Sequence, residues 1–293
     1  MKTLFIVNPT SGPDIAAPMR RQLLDAVSTM RGADAHVLTR PDEATSVARQ
    51  AAEIGYDRIV VAAGDGTLNE VVNGIGDSDV TLGLIPLGTG NVFASELGLD
   101  PNSLEHSLAV IERSKTRRID LGKAGDRRFL LMAGFGFDAE VVQSVPSRAK
   151  GVFGKLAYAP MLVRESVRCR PADFTLLLDG RETLTTKAYN VIVCNCASYA
   201  PNFQLAPDAR TDDGLLDVLI FGDEPAMKLK FLGWLGASLV TNSAADANVG
   251  RYRASRLRIE SEPVVKMQLD GDVRGESGID IQVLPGALNL IVP

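Results

Sequence analysis

Three times in the first hundred residues a short apolar run ends in a polar, glycine-bearing turn and a helical pattern follows. Leu4–Val7 leads into Asn8-Pro9-Thr10-Ser11-Gly12 and then a helical pattern over Ala16–Arg31, with Leu23, Leu24 and Val27 on one face. Arg58–Ala62 leads into Gly64-Asp65-Gly66-Thr67, with a helix beginning over Leu68–Asn73. Leu82–Pro86 leads into Leu87-Gly88-Thr89-Gly90-Asn91, with a helix over Val92–Leu97. A strand at Ala35–Thr39 and a helix over Thr45–Ile54, closed by Gly55, fill the interval between the first two units. Repeated strand–loop–helix units specify an open parallel sheet with helices on both faces. Such sheets bind ligands beyond the carboxyl ends of their strands, the edge where all three turns fall.

The texture changes near Arg117-Arg118-Ile119-Asp120. Beyond it short strands dominate: Arg128–Ala133, Asp173–Leu178, Ala188–Cys194, Leu215–Phe221, Arg256–Glu260, Val264–Leu269 and Gly278–Leu284. Turns such as Asp179-Gly180, Asp213-Gly214 and Asp270-Gly271 punctuate them. This pattern predicts an antiparallel sandwich or barrel, interrupted by helical patterns near Phe153–Val167 and Ala226–Val240. The expected class is α/β plus β: an open parallel α/β domain over 1–120 and an antiparallel β-sandwich over 121–293, the last residues returning to the first domain.

Composition narrows the function. Of 293 residues, 45% are hydrophobic and 23% charged, enough apolar surface to exclude a disordered chain. Lys plus Arg number 31 against 36 Asp plus Glu, a net charge of −5 that argues against a nucleic-acid partner. Cys169, Cys194 and Cys196 are too few for a disulfide scaffold and point to a reducing cytosol. Cys194 and Cys196 are expected as buried thiols on one face of a strand. The apolar stretch Phe231–Val240 falls short of the roughly 18 residues a membrane-spanning helix needs. Leu4–Val7 is likewise shorter than the apolar core of a signal peptide, about 7 to 15 residues. Any membrane contact is therefore expected to be peripheral.

The turns differ in how much chemistry they carry. Asn8–Gly12 alone is compatible with an ordinary strand-to-helix turn. In Gly64-Asp65-Gly66-Thr67-Leu68-Asn69-Glu70 two glycines allow close backbone approach, and Thr67 with the helix start offers a hydroxyl and N–H groups that suit phosphate. Asp65 could organise a metal–water shell or a donor there; a tight turn with a helix cap is the alternative. Thr89, between Gly88 and Gly90, repeats the same chemistry. Neither loop is a Walker motif or a dinucleotide fingerprint.

These segments, in their order, resemble the diacylglycerol kinase catalytic-domain family, which includes bacterial diacylglycerol kinases, related phospholipid kinases and sphingosine kinases. The matching motifs are NPTSG (8–12), GDGTLNEVVNGI (64–75), IPLGTGNVFASELGL (85–99), GFGFDAEVV (134–142), GKLAYA (154–159), APDARTDDGLLDV (206–218) and LDGD (269–272). The resemblance implies Mg²⁺- and ATP-dependent phosphoryl transfer to a lipid hydroxyl, most simply diacylglycerol to phosphatidic acid. It also implies a fold related to NAD kinases, with the active site between the two domains. The implied nucleotide contacts are Asn8, Pro9, Thr10, Ser11, Gly12, Thr39, Gly64, Asp65, Gly66, Thr67, Leu68, Asn69, Glu70 and Thr89. A structural metal site is implied at Asp213, with the backbone carbonyls of Arg210 and Leu215; oxygen-only ligation suits Mg²⁺. The implied general base is Asp272, with Asp270 close by. A carboxylate within reach of the lipid hydroxyl can take its proton, although Asp-Gly is also a favoured plain hairpin.

The sequence departs from the family pattern at four places: Ala63 for a glycine, Pro13 for a basic residue, Val92 for an aspartate and Asp272 for a glutamate. Kinase activity on a sphingoid base or phosphatidylglycerol is an alternative, as is a low-activity nucleotide- or lipid-binding regulator. His36 and His106 show no partners in the sequence. Trp234, with Lys228, Lys230 and Phe231, suits either a core helix or a lipid interface. The expected partners are ATP and a membrane lipid at the inner membrane face, in the cytoplasm; a homodimer is left open.

Overall fold

The computed structural model describes residues 1–12, 16–144, 168–201, 203–224 and 249–293. The chain divides into two units, Met1–Ile119 with Gly286–Pro293, and Asp120–Pro285.

The first unit is built on β1 (Thr3–Val7), β2 (Ala33–Val37), β3 (Arg58–Ala63) and β4 (Thr81–Pro86). All are parallel, in the order β2-β1-β3-β4. Every residue of β1 and β3 is buried, as expected of parallel strands covered on both faces. The helices are α1 (Ala17–Thr29), α2 (Glu43–Glu53), α3 (Asp65–Ile75), α4 (Val92–Glu96) and α5 (Leu104–Arg113). Phe5, Val7, Val60, Ala62 and Ile85 form a core with Leu23 and Val27 of α1 and Ile111 of α5. The sequence predicts α1 to α4 but not α5. That helix is fixed at its start by Ser103, whose hydroxyl accepts the His106 N–H at 3.1 Å. At its other end the buried Arg58 donates to the Ile111 carbonyl at 3.1 Å and to the Ser114 hydroxyl at 2.7 Å.

The chain leaves the first unit through β5 (Thr116–Ala124). There follow β6 (Arg127–Phe129), β7 (Met132–Gly136), α6 (Phe137–Ser144), β8 (Ala172–Leu178), β9 (Glu182–Cys194), β10 (Ser198–Ala200) and β11 (Phe203–Gln204). The rest are β12 (Leu216–Gly222), β13 (Gly250–Ala254), β14 (Arg256–Glu262), β15 (Lys266–Leu269), β16 (Asp272–Glu276) and β17 (Ile279–Ile291). In the second unit the strand pairs are antiparallel, and β9 is the hub. Its first half pairs with β8, its second half with β7 and β12, and its register shifts against β12 near Phe221–Gly222. β8 alternates buried and exposed positions with period two, the mark of a strand with one face on a core. Phe129, Phe135, Phe174, Leu176, Val191, Val193, Val218, Leu257 and Ile281 lie in that core. The end of β17 returns to the first unit, where Asn289 and Leu290 pair in parallel with Thr81 and Leu82 of β4.

Three local expectations are corrected. The single strand expected over Arg128–Ala133 is broken between β6 and β7, because the N–H groups of Leu130, Leu131 and Met132 go to a carboxylate rather than to a ladder. The helix expected from Leu68 starts at Asp65, so the Gly64-Asp65-Gly66-Thr67 turn is the first turn of α3. Cys194 ends β9 but Cys196 lies beyond it; both thiols are buried, and burial pushes Cys194 well above the usual thiol range. The helical patterns at 153–167 and 226–240, the motif at 154–159, Pro13 and Trp234 with Lys228, Lys230 and Phe231 lie outside the described residues.

Helix α3 is pressed against α2. A Cβ on Gly74 would sit 2.4 Å from the Thr45 carbonyl oxygen and 2.9 Å from the Ala48 Cβ. Alanine is worth about 1 kcal/mol more than glycine in an open helix. Overpacking costs about 1–3 kcal/mol, and here the obstacle is backbone. Gly74→Ala is therefore expected to lower stability in urea melts despite the better helix former; a rise in midpoint would refute the packing described.

Candidate functional site

Parallel strands place all their carboxyl ends at one edge, so β1, β3 and β4 deliver their following loops side by side. Asn8 follows β1, Gly64 follows β3 and Leu87 follows β4. The loops interlock. A Cβ on Gly12 (φ +75°) would lie 2.0 Å from the Leu87 carbonyl oxygen, and one on Gly88 2.5 Å from the Gly64 Cα. Only glycine fits these contacts. The Asn8 side-chain amide donates to the Thr67 hydroxyl at 2.8 Å, joining the first loop to α3. The Asn8 side-chain oxygen accepts the Thr10 N–H at 3.0 Å and hydroxyl at 2.9 Å. Asn91, in the left-handed region at φ +52°, closes its loop by accepting the Gly88 N–H at 2.9 Å and donating to the Gly88 carbonyl at 2.7 Å.

Asp65 is spent differently from the sequence expectation. Its two carboxylate oxygens accept the N–H groups of Val92 and Phe93, each at 3.0 Å. It thereby caps α4 from a neighbouring loop and holds the Thr89 turn against α3. Desolvation pushes its carboxyl above the ordinary range, while the Phe93 and Val92 N–H groups pull the other way. Leu68 contributes no side chain to a ligand: it is fully buried, and its N–H goes to the Gly64 carbonyl at 3.1 Å. The Gly66 and Thr67 N–H groups precede that first closed bond, so this helix start presents donors beyond the strand ends. Asn69 and Glu70 follow on the same helix. Asn69 receives the Asn73 amide, and the Glu70 carbonyl accepts the Thr45 hydroxyl at 3.1 Å. Pro9, Thr10, Gly66 and Thr89 are exposed, and Ser11 is half-buried.

The structure adds Glu43, which the sequence did not single out. At the start of α2, it accepts the Thr39 N–H at 2.7 Å, the Thr39 hydroxyl at 3.1 Å and the Arg40 N–H at 3.2 Å. His36, whose partner the sequence did not show, lies 3.2 Å from it. The Thr39 N–H and the other donors hold Glu43 down to about 2 against some desolvation. The signal available in sequence was an acidic residue in the first turn of a helix, four residues after Thr39.

In the second unit the two carboxylates of the Asp270-Gly271-Asp272 turn part company. Asp270, at φ +48°, accepts the N–H groups of Leu130, Leu131 and Met132 at 2.8, 2.9 and 3.0 Å. Asp272 opens β16, is exposed, and lies 3.3 Å from Arg274. Asp213 is taken by Arg253 and by the Leu215 N–H at 3.1 Å, and Arg210 is exposed. The same loop is anchored by the buried Asp120, which the sequence marked only as a boundary. Asp120 accepts the Gly214 N–H at 2.7 Å and donates its own N–H to the Thr211 carbonyl at 2.6 Å. Among the described residues no group of three or more His, Cys, Asp or Glu side chains could hold a metal ion.

Comparison with known proteins adds a lineage to this geometry. The family described as "Diacylglycerol kinase catalytic domain" matches residues 2–124, and "YegS C-terminal NAD kinase beta sandwich-like domain" matches residues 132–292. A diacylglycerol kinase of Bacillus subtilis is 30% identical over 275 residues, 92% of this chain and 89% of its own. One from Mycobacterium tuberculosis is 28% identical over 308 residues, spanning 100% of this chain and 95% of its own. Among solved structures, a diacylglycerol kinase from Bacillus anthracis superposes with a TM-score of 0.78 at 23% identity, covering 100% of this chain and 97% of that one. An NAD kinase from Archaeoglobus fulgidus in complex with ATP shares the fold more distantly, with a TM-score of 0.51 at 14% identity over 99% and 93% of the two chains. The chain belongs to the diacylglycerol kinase catalytic-domain family and is a lipid kinase, a transferase with an alcohol group as acceptor.

Proposed function

We propose that this lipid kinase transfers the γ-phosphoryl group of ATP to the hydroxyl of diacylglycerol, giving phosphatidic acid and ADP. The observation that carries the nucleotide half is the convergence of Asn8–Gly12, Gly64–Glu70 and Gly88–Asn91 at one sheet edge. Small residues, hydroxyls and a helix start meet there, the chemistry of a phosphate cradle. Thr39 follows β2 at the same edge. The choice of acceptor is supported by the likeness to the Bacillus subtilis and Mycobacterium tuberculosis enzymes.

Phosphoryl transfer asks the protein for positioning and charge stabilisation more than for covalent chemistry. The lipid oxygen bonds to the γ-phosphorus as the bond from that phosphorus to the ADP oxygen breaks. The hydroxyl proton passes to the Asp272 carboxylate, which is exposed and free of backbone donors in its own turn. Asp270 is unsuited to that task, because its oxygens already receive three N–H groups. A magnesium ion bound with the nucleotide supplies positive charge against the phosphates. The Asp65 carboxylate is largely spent on the N–H groups of Val92, Phe93, Asn91 and Asp65 itself, so such an ion would be held mainly by phosphate and water. A dedicated ion at Asp213 fits poorly, since the Arg253 guanidinium already balances that carboxylate. No step depends on it.

A lipid acceptor brings the enzyme to a membrane surface. No helix among the described residues is long and apolar enough to cross one, so the contact proposed is peripheral, at the inner face from the cytoplasm.

The nucleotide loops separate into two kinds of residue. Thr89→Ala is expected to raise KM for ATP severalfold with an unchanged melting temperature. Asp65→Ala is expected to raise it too and to cost about 1–2 kcal/mol of stability, the value of a helix cap. Calorimetric ATP titration beside thermal melting checks both, and unchanged ATP affinity in the pair would remove these loops from the nucleotide site.

The two turn carboxylates are also predicted to diverge. Asp272→Asn should lower kcat by about 10²- to 10⁴-fold, the range for a positioned acid–base group, with no loss of stability. Asp270→Asn turns an amide toward backbone N–H groups and should destabilise by about 1–3 kcal/mol, the cost of unsatisfied buried donors. Steady-state lipid phosphorylation and urea melts on both variants decide, and a near-parental kcat for Asp272→Asn removes that residue from the mechanism.

A further inference from the structure

Gln268 lies on β15, is 2% exposed, and spends both ends of its amide. Its Nε2 donates to Asp138 Oδ2 at 2.7 Å, and its Oε1 accepts the Gly271 N–H at 2.7 Å. Gly271 stands between Asp270 and Asp272, at the tip of the hairpin that pairs β15 with β16. Its neighbour Asp270 is at φ +48° and it is itself at φ +89°, the two left-handed positions of a tight two-residue turn.

β16 pairs with β15 and with no other described strand, so its ladder alone fixes the turn from one side only. Side chains supply the rest. The Asp270 carboxylate ties the turn to Leu130, Leu131 and Met132. Gln268 ties the next peptide, and its direction is not free: a carboxylate accepts and an N–H donates, so only one amide orientation satisfies Asp138 and Gly271 together. Asp138 is itself held. It is 1% exposed, its other oxygen accepts the Tyr199 hydroxyl, and its N–H donates to Asn190 Oδ1 at 3.3 Å. The space for it exists because residue 134 is glycine, where a Cβ would lie 1.8 Å from Asp138 Oδ2.

We propose that Gln268, oriented by Asp138, is a positioning residue that clamps the Gly271 peptide and so sets where the Asp272 carboxylate stands. The inference rests on the reading of Asp272 as the base. It assigns a task to a buried polar group whose amide is spent on Asp138 and the Gly271 N–H. Misplacement of a reacting group by about 1 Å costs about 10²-fold in rate, so a clamp of this kind acts on kcat.

The test is Gln268→Met in the full chain, which keeps the length and removes both hydrogen bonds, with Gln268→Asn for the same measurements should the first not fold. Three quantities are read: kcat and KM for ATP in lipid phosphorylation, amide hydrogen exchange at Gly271, and the double variant with Asp272→Asn. The clamp predicts a kcat loss of at least about tenfold, ATP KM within about twofold, and faster Gly271 exchange. It also predicts that the double variant is no slower than Asp272→Asn alone by more than about twofold, because a clamp on an absent base has nothing left to position. A purely structural role would not give that selectivity. A kcat within about twofold of the parent, beside a large loss for Asp272→Asn, overturns the clamp and leaves the base reading standing. Independent, multiplying losses also overturn it. Near-parental activity of Asp272→Asn sinks the base reading first, and the clamp falls with it.

Discussion

The first unit depends on two backbones touching where side chains would forbid it. Gly64 and Gly88 follow adjacent parallel strands, and a Cβ on Gly88 would come within 2.5 Å of the Gly64 Cα. Because neither residue has a side chain, the loops after β3 and β4 can lie in contact. That contact brings Asp65 within reach of the Val92 and Phe93 N–H groups. Gly12 does the same for the loop after β1, resting on the Leu87 carbonyl. Sequence-local turns thus become one surface through contacts that no turn makes alone. The parallel sheet supplies the register, and the glycines supply the approach.

Carboxylates in this chain serve backbone N–H groups at several chain breaks. Asp65 caps α4, Asp270 bridges the gap between β6 and β7, Asp120 holds Gly214, and Glu43 gathers Thr39 and Arg40. A charged acceptor makes stronger bonds than a neutral one, and a buried unpaired N–H is costly, so a single aspartate can end one element and start another. This explains why Asp270 and Asp272, two residues apart, have different prospects in catalysis. One is consumed by structure, and the other is left exposed at the head of β16.

The same fact bounds what the sequence could say. The α/β half was legible because β1, β3 and β4 are continuous apolar runs ending in glycine turns, a pattern written within a dozen residues. The second half was legible as strands but not as topology. β9 runs for 13 residues because it changes partners halfway, and nothing local announces that. The break at Leu130 and Leu131 is set by a carboxylate 139 residues away along the chain, so those apolar residues read as one strand. The motif residues lie on loops that meet at one sheet edge, but their individual contacts were not written in the motifs: Thr67 receives Asn8 from 59 residues away, and Thr39 leans on Glu43, outside every motif. α5 escaped although half of its residues are apolar, and its ends are fixed by Ser103 and Arg58, one local and one 53 residues from the carbonyl it caps.

Val92 shows why the loop tolerates a departure from the family pattern. An aspartate there would bring a second carboxylate beside Asp65, in a place where desolvation already pushes the first one up. Like charges so close disfavour joint ionisation unless a cation lies between them. Valine removes that repulsion. The tie to Asp65 survives the change, because residue 92 contributes its backbone N–H and not its side chain. The architecture of the loop is therefore independent of the side chain at this position. What varies with it is the negative charge presented beyond the strand ends.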